Sequence, residues 1–382
     1  MNIAFLGNLG NVSYKMCKAI NLNSDYKAFL LLSESETRNM RVGNPLWEDR
    51  NSKENDWIIQ PTIDGISRYS GYRRIIQYIR TVLDMKYKMK KYDYVFASTM
   101  NSIWAFFSGV EYYSMTTGAD ITELAFEKSI FGFFYRKSLF KAQKVFLLNT
   151  NQIKFAEKLK LKNFVYLPFS IDTSKYFCSI NKQSSKLRIL HSCRLDWIDE
   201  TRTSIKKNDI FFKGFAKFYN ENEKYVDENI ELIVFKFGTE ENINATIQLN
   251  KDLGIDNVIK YIEVCDKDLL IEEYSKSDVV IDQFSLGAFG LNFLEAMSCE
   301  NILITYLDTD DIKKCYDKSP PIFNSKTSDE VCNSIRSIVE FSNEEVEKMK
   351  KESRQWIIEN HDDNEVVKII KIMIEEENLS EK

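Results

Sequence analysis

Val279-Val280-Ile281-Asp282-Gln283-Phe284-Ser285-Leu286-Gly287-Ala288-Phe289-Gly290-Leu291-Asn292-Phe293-Leu294-Glu295-Ala296-Met297 is the stretch on which the reading of this chain turns. Val279–Ile281 has the short, β-branched, uninterrupted apolar character of a strand buried on both faces. A loop with two glycines follows, and then a run of good helix formers. Backbone N–H groups left free at such a helix start favour a diphosphate, and Glu295, one or two turns on, is placed to accept hydrogen bonds from vicinal hydroxyls such as those of a ribose.

Outward from this stretch the same grammar repeats. Apolar runs at Ile3–Leu6, Ala28–Leu32, Tyr94–Ala97, Val145–Leu148 and Phe164–Leu167 form one set of five expected strands. Arg188–His191, Glu231–Phe235, Ile259–Ile262, Val279–Ile281 and Ile302–Tyr306 form a second. Longer segments of helical period separate them, as crossover connections between parallel strands require. The chain of 382 residues is too long for one ordinary core. We expect two Rossmann-like α/β domains: 1–170, a linker over 171–185 rich in turn formers, and 186–359. A tail over 360–382, with Val366, Val367, Ile370, Met373 and Ile374 as its apolar set, is expected to pack back on the first domain.

Composition narrows the classes. The chain is 44% hydrophobic, 13% aromatic and 29% charged, which suits a packed globular protein and no low-complexity one. The net charge of −5 hides an asymmetry. Residues 1–170 hold 24 Lys/Arg against 15 Asp/Glu, and residues 171–382 hold 28 against 42, so only the first half favours anionic surfaces. Nucleic acid is not an expected partner. The seven cysteines are scattered without a CxxC pair, and with two histidines there is no material for a multi-histidine metal site or a Ser-His-Asp triad. No apolar run is long enough for a spanning helix, and the N-terminal residues lack the zones of a secretion signal, so a reducing cytoplasm is the expected compartment. Tyr72 to Tyr92 sets Ile75, Ile76, Ile79 and Leu83 at helical spacing among Arg73, Arg74, Arg80, Lys86, Lys88, Lys90 and Lys91. It reads either as a face for an anionic membrane surface or as an ordinary solvated basic helix.

Other stretches carry candidate chemistry. Gly7-Asn8-Leu9-Gly10 follows the first strand, where Gly10 would let a ligand approach the backbone; the spacing is not that of a dinucleotide fingerprint. Asp308-Thr309-Asp310 looks like a metal-binding DxD but falls on an expected surface loop.

The Phe289-to-Met297 region resembles the donor-site motif of retaining glycosyltransferases of family 4, in which two glutamates eight positions apart frame a Phe-Gly-Leu centre and lead into Glu-Ala-Met. Glu295 matches the second glutamate; Gly287 stands in place of the first. Leu190-His191-Ser192-Cys193-Arg194-Leu195-Asp196-Trp197 is similar to the opening of that family's second domain, with Lys206 and Lys207 supplying the lysine that usually follows. The resemblance implies a GT-B fold, with two Rossmann-like domains facing across a cleft. It also implies transfer of a sugar from a nucleotide-sugar donor to a glycan or lipid-linked saccharide, with retention and without a metal or other cofactor. In that reading Arg194 and Lys206 offset the charge on the leaving diphosphate. Gly287, Phe289, Gly290, Leu291, Glu295, Lys207, Gly238 and the backbone around Ile262 and Val264 line the donor. Thr116-Thr117-Gly118-Ala119-Asp120 is similar to a Gly-x-Asp element of a subset of the family; Asp120 would hold a sugar hydroxyl there, or act as a helix N-cap. The absent first glutamate leaves two alternatives open: a member that binds nucleotide or glycan without transfer, and a sugar-nucleotide epimerase on the same fold.

Overall fold

The computed structural model describes residues 1–33, 36, 43–59, 70–177, 186–202, 204–264 and 266–380. These fall into two compact units, one reaching from Met1 to Asp172 and joined by the tail from His361, the other spanning Thr173–Asn360.

The first unit holds β1 (Asn2–Leu6), β2 (Lys27–Leu31), β3 (Ile58–Ile59), β4 (Tyr94–Ser98), β5 (Tyr113–Thr116), β6 (Val145–Leu147) and β7 (Phe164–Tyr166). They pair in parallel in the order β3-β2-β1-β4-β5-β6-β7. Phe96 of β4 stacks on Phe5 at 5.0 Å and on Phe146 at 5.4 Å between ring centroids, so one aromatic row crosses the sheet. The second unit holds β8 (Leu187–His191), β9 (Ile230–Phe235), β10 (Ile259–Ile262), β11 (Val279–Ile281), β12 (Ile302–Thr305) and β13 (Phe323–Asn324), again parallel, in the order β10-β9-β8-β11-β12-β13. Its core is a phenylalanine-rich face: Phe211, Phe212 and Phe215 of the helix Asp209–Asn229 pack with Val331 and Ile335 of the helix Ser328–Glu340.

Three strands escape the periodicity of the sequence. β3 and β13 are two-residue pairings at sheet edges, too short to carry a pattern. β5 is central and wholly buried, yet reads Tyr-Ser-Met-Thr. Its hydroxyls are absorbed locally: Ser114 Oγ meets Ser102 Oγ at 2.7 Å, and Thr116 donates to Gln152 Oε1 at 2.9 Å. Hydrogen-bonded hydroxyls are tolerated in a core that would reject unpaired ones.

The stretch expected as a linker is divided. Ile171 and Asp172 belong to the first unit and Thr173–Phe177 to the second, and 178–185 lie outside the described residues. Ile171 donates its N–H to the His361 carbonyl at 2.8 Å and accepts from the Asp363 N–H at 3.2 Å, which fixes the start of the tail helix Asp363–Ser380. Val366, Val367, Ile370 and Ile374 are buried, and the helix packs on Val12–Asn23 of the first unit.

Two buried titratable groups stand at this junction with opposite tendencies. Burial lowers His361 from 6.5 to about 4, while its Nδ1 lies 2.9 Å from the Phe169 carbonyl. Burial raises Asp363 from 3.8 to about 6 despite its hydrogen bond from Ser170. Stability from neutral His361 is full above its unfolded value and lost as pH falls through about 4. Stability from protonated Asp363 is full below 3.8 and lost as pH rises through about 6. Asp363→Asn removes the second dependence alone. Urea denaturation across this pH range should therefore show the variant gaining on the wild type by about 2–3 kcal/mol between acid and neutral pH, because each tenfold change in proton affinity is worth roughly 1.4 kcal/mol. A difference that stays constant with pH contradicts this assignment.

Candidate functional site

In both sheets the strand order reverses direction beside the first strand of the unit, and loops leaving the carboxyl ends of the two strands at that point diverge to leave a place for a ligand. In the second unit these are the loops after β8 and β11. They are bound to each other at several points. The Cys193 thiol donates to the Asp282 carbonyl at 3.1 Å, and the Phe284 N–H donates to the Lys206 carbonyl at 2.9 Å. Lys206 Nζ meets Asp282 Oδ1 at 3.4 Å, with Asp282 almost wholly buried.

Asp196 organises the cationic side. Its carbonyl accepts from the N–H groups of Lys206 (2.9 Å) and Lys207 (3.1 Å), and its own N–H donates to Asn208 Oδ1 at 2.7 Å. Its Oδ2 receives both Arg194 at 2.7 Å and Arg202 at 2.8 Å. One buried carboxylate thus carries two guanidinium groups that remain 46% and 40% exposed, an arrangement that holds positive charge out toward solvent without discharging it. Beneath it His191 is buried, and desolvation with the nearby Lys206 charge lowers it from 6.5 to about 4, so it adds no third positive charge near neutral pH.

Across from these cations, Gly290 caps the helix Leu291–Ser298 without any side-chain cap, leaving the first N–H groups of that helix to other acceptors. Asp282 explains the glycine: a Cβ on residue 290 would lie 2.9 Å from Asp282 Oδ2. That oxygen is buried and has no hydrogen-bond partner. Gly287 is constrained more severely. Its φ is +65°, and a Cβ there would meet Asp308 Cβ at 3.0 Å and the Asp308 nitrogen at 3.2 Å. Its carbonyl also accepts from the Asp308 N–H at 3.0 Å. A carboxylate side chain at this position, where the sequence already has none, would carry the strain of a left-handed backbone and press on Asp308.

Glu295 does not present an oxygen to solvent. It is fully buried, with Oε1 accepting from the Tyr176 hydroxyl at 3.0 Å and Oε2 from Lys267 Nζ at 2.6 Å. This differs from the open acceptor expected of it. The cause is Tyr176, which enters the second unit from the segment read as linker and is itself buried.

The remaining expected residues are more widely spread. Lys207 has φ +53° and pairs with Glu200 at 3.1 Å, while Gly238 bridges Leu195. Leu291 opens its helix, and Phe289 is buried in an aromatic group with Phe293, Tyr316 and Trp356. Ile262 ends the edge strand β10, and its carbonyl is already taken by the Lys236 N–H at 2.9 Å; Val264 follows, partly exposed. Gly10 and Asp120 lie in the first unit. Gly10 is exposed, with φ +63°, in the turn before Val12–Asn23.

Asp120 is neither an open sugar ligand nor the N-cap. Gly118 holds the cap position, and the buried Asp120 carboxylate accepts from Gly118 N–H at 2.8 Å, Thr117 N–H at 3.2 Å and the Tyr135 hydroxyl at 3.1 Å. Burial raises its pKa against those hydrogen bonds. Asp308 caps the helix Thr309–Lys313 through the N–H groups of Asp310 and Asp311. No group of three or more His, Cys, Asp or Glu among the described residues is arranged to hold a metal ion.

Five contributors were not singled out from the sequence: Asp196, Asp282, Arg202, Tyr176 and Lys267. The first two lie inside the motifs around Arg194 and Val279, where a carboxylate beside an arginine or after a buried strand was available to be read. Tyr176 and Lys267 reach Glu295 from 119 and 28 residues away, with no periodicity to link them.

Removing one member of a buried ion pair strands the other, at a cost of about 3–5 kcal/mol. Glu295→Ala should lower the unfolding free energy of the protein by that order in chemical denaturation. A loss under about 1 kcal/mol would show Lys267 to be freely rehydrated. Gly287→Glu should fail differently, through a strained left-handed backbone and crowding at Asp308, costing about 1–3 kcal/mol. A Gly287→Glu protein as stable as the wild type would refute the steric account.

No protein-family model matches the chain, and neither does any curated relative. Solved structures do. The HepE protein of Anabaena, in complex with UDP-glucose, is similar with a TM-score of 0.70 at 14% identity, covering 98% of this chain and 100% of that one. A glycosyltransferase from Rickettsia africae gives 0.67 at 12%, covering 100% and 99%. Sucrose-phosphate synthase from Thermosynechococcus elongatus gives 0.66 at 11%, covering 100% of both chains. At such identities the likeness concerns the fold: two parallel-sheet Rossmann-like units of the GT-B type.

Proposed function

We propose that the chain is a glycosyltransferase that moves a sugar from a nucleotide-sugar donor to a glycan or lipid-linked saccharide acceptor, in the synthesis of a surface polysaccharide or glycoconjugate. The observation that carries this reading is the meeting, at the switch point of the second unit, of Arg194, Arg202 and Lys206 on one loop with the uncapped helix start at Gly290 on the other. A diphosphate is the ligand whose charge and oxygens suit both. The complex of HepE with UDP-glucose lends support from a protein of the same fold.

In this reading the diphosphate lies between the guanidinium groups and the Gly290 helix start. Arg194 and Lys206 interact more strongly with the departing nucleoside diphosphate than with the intact donor, because negative charge accumulates on it as the glycosidic bond breaks. These two residues do the work a divalent cation performs elsewhere, and transfer proceeds with retention. Asp282 restrains Lys206, and Asp196 restrains Arg194. Glu295 takes the ribose once Tyr176 releases Oε1. The backbone near Ile262 and Val264 takes the base, and the basic face over 72–92 meets an anionic membrane surface.

Gly287 favours a second reading, in which the site binds nucleotide without transferring sugar, since the chain has no carboxylate at the position where the resemblance sets one against the sugar ring, and a left-handed backbone there. Incubation with a panel of UDP- and GDP-sugars, with release of nucleoside diphosphate as the signal, separates the two. Release stimulated by an acceptor supports transfer; tight binding of a donor with no release from any acceptor mixture supports the second.

Arg194→Ala should lower turnover by about 100-fold while donor affinity falls much less. Equal losses in both would assign the arginine to ground-state binding. Tyr176→Phe leaves Glu295 Oε1 short of one donor. If ribose takes that oxygen, calorimetry should give UDP binding tighter by about 1 kcal/mol, roughly fivefold. Unchanged affinity with lowered thermal stability would make Glu295 purely structural.

A further inference from the structure

The loop after β12 is bound to the loop after β11 by a fully buried glutamine. Gln283 Nε2 donates to the carbonyls of Tyr306 at 2.7 Å and Ala288 at 3.1 Å, and its Oε1 accepts from the N–H groups of Ser285 at 2.9 Å and Leu286 at 2.6 Å. The Gln283 carbonyl accepts in addition from the Tyr306 N–H at 2.9 Å and the Thr305 hydroxyl at 2.8 Å. On the far side Asn324 of β13 holds Leu307, accepting its N–H and donating to its carbonyl, each at 2.9 Å. Asp308 therefore leaves the sheet between two fixed points, the clamped Leu307 and the Gly287 carbonyl on which its own N–H closes.

Its carboxylate is oriented but only half used. Oδ1 accepts from the N–H groups of Asp310 at 3.1 Å and Asp311 at 3.3 Å. Oδ2 has no partner among the described residues, on a side chain that is only partly buried. The neighbouring acids differ, since Asp310 and Asp311 pair with Lys313 and Lys314 of their own helix, while Asp308 meets no cation. Gly287 keeps this carboxylate uncovered. A Cβ at 287 would lie 3.0 Å from Asp308 Cβ and 3.2 Å from the Tyr306 ring, so any side chain there would start against that of Asp308. An oriented carboxylate oxygen with no cation accepts from hydroxyl groups and repels phosphate. The strand order keeps those two tendencies apart. β11 lies between β8 and β12, so Asp308 stands on one side of the Gly287–Gly290 loop, and the loop bearing Arg194, Arg202 and Lys206 leaves a strand on the other, roughly 10 Å away. That polarity suits a ligand anionic at one end and hydroxylated at the other, as a sugar bonded to a diphosphate is.

We propose that Asp308 Oδ2 accepts hydrogen bonds from hydroxyls of the donor sugar, which makes Asp308 a specificity-determining residue that selects donors by hydroxyl configuration. The inference rests on the donor reading above and extends it from the diphosphate to the sugar. It is tested by calorimetry on the full chain with UDP, GDP, UDP-glucose, UDP-galactose and GDP-mannose. Asp308→Ser keeps an oxygen for the helix cap and removes the free one, whereas Asp308→Ala removes both. Asp308→Ser should bind the nucleotide sugar preferred by the wild type at least about tenfold more weakly, with affinity for the matching nucleoside diphosphate unchanged, because a hydrogen bond to a charged group is lost with the sugar alone. UDP-glucose and UDP-galactose, which differ in one hydroxyl configuration, should converge in affinity on this variant. Asp308→Ala should show the same selectivity with a lower melting temperature. Equal weakening of nucleotide and nucleotide sugar would make Asp308 a helix cap only, and unchanged affinity for both would make Oδ2 a solvent-facing atom. Either result overturns the proposal and leaves the donor reading standing. A wild type that binds none of the five probes overturns the donor reading and the proposal with it.

Discussion

Parallel strands cannot be joined by hairpins, and each must be followed by a crossover that returns over a face of the sheet. This constraint governs the molecule. It sends every strand's carboxyl end to the same edge of its sheet, and the reversal of strand order between β8 and β11 then parts the two loops at that edge. Nothing in Arg194 or Lys206 makes these residues special in isolation. They matter because β8 delivers both to the place where the sheet has no crossover to cover it. The cross-loop bonds from Cys193, Lys206 and Phe284 then keep the place defined, by tying the backbone after β8 to the backbone after β11.

The two units use one topology with different surfaces. In the second, acidic residues are drawn inward as organisers: Asp196 holds two arginines, Asp282 holds a lysine and Glu295 is wholly enclosed. Buried carboxylates of this kind are costly unless each is paired, and the pairing fixes cations whose other side faces solvent. In the first unit the helices Gly71–Met89 and Ile130–Lys141 carry eight Lys/Arg against the single acid Asp84, so their surface is strongly basic. The charge asymmetry between the halves of the sequence thus corresponds to two uses of charge, one organising a site and one shaping a surface.

Much of this was legible in the amino-acid order because it rests on period and punctuation. Val279–Ile281, the glycines after it and the helix formers from Leu291 appear in the fold as strand, loop and helix. So does the docking of Val366, Val367, Ile370 and Ile374 on the first unit. What stayed hidden is of another kind. Tyr113–Thr116 conceals a buried strand because its hydroxyls are satisfied by partners such as Gln152, 36 residues away. Asp120 looks like a cap or a ligand until Tyr135, 15 residues on, takes one of its oxygens. Glu295 looks open until Tyr176 arrives from a segment 119 residues earlier. In each case a local pattern states what a side chain is able to do, and a nonlocal partner decides whether that capacity is already used.

The glycines around the second unit's site extend this point to chemistry. At 287 the backbone is left-handed and close to Asp308, so any side chain there carries backbone strain and displaces its neighbours by a few tenths of an ångström. At 290 the missing Cβ leaves room for Asp282, whose Oδ1 is held by Lys206 and whose Oδ2 has no donor. A buried acceptor without a donor costs about 1–3 kcal/mol, and the fold sustains that cost at the edge where the two loops separate. That oxygen has no solvent access, so Asp282 acts on the site through the room it leaves at Gly290 and through the lysine it holds, not as a ligand contact. A carboxylate does stand at this site, directly after β11, buried against Gly290 and paired with Lys206, and by that pairing it holds a cation from the loop after β8 beside the loop after β11.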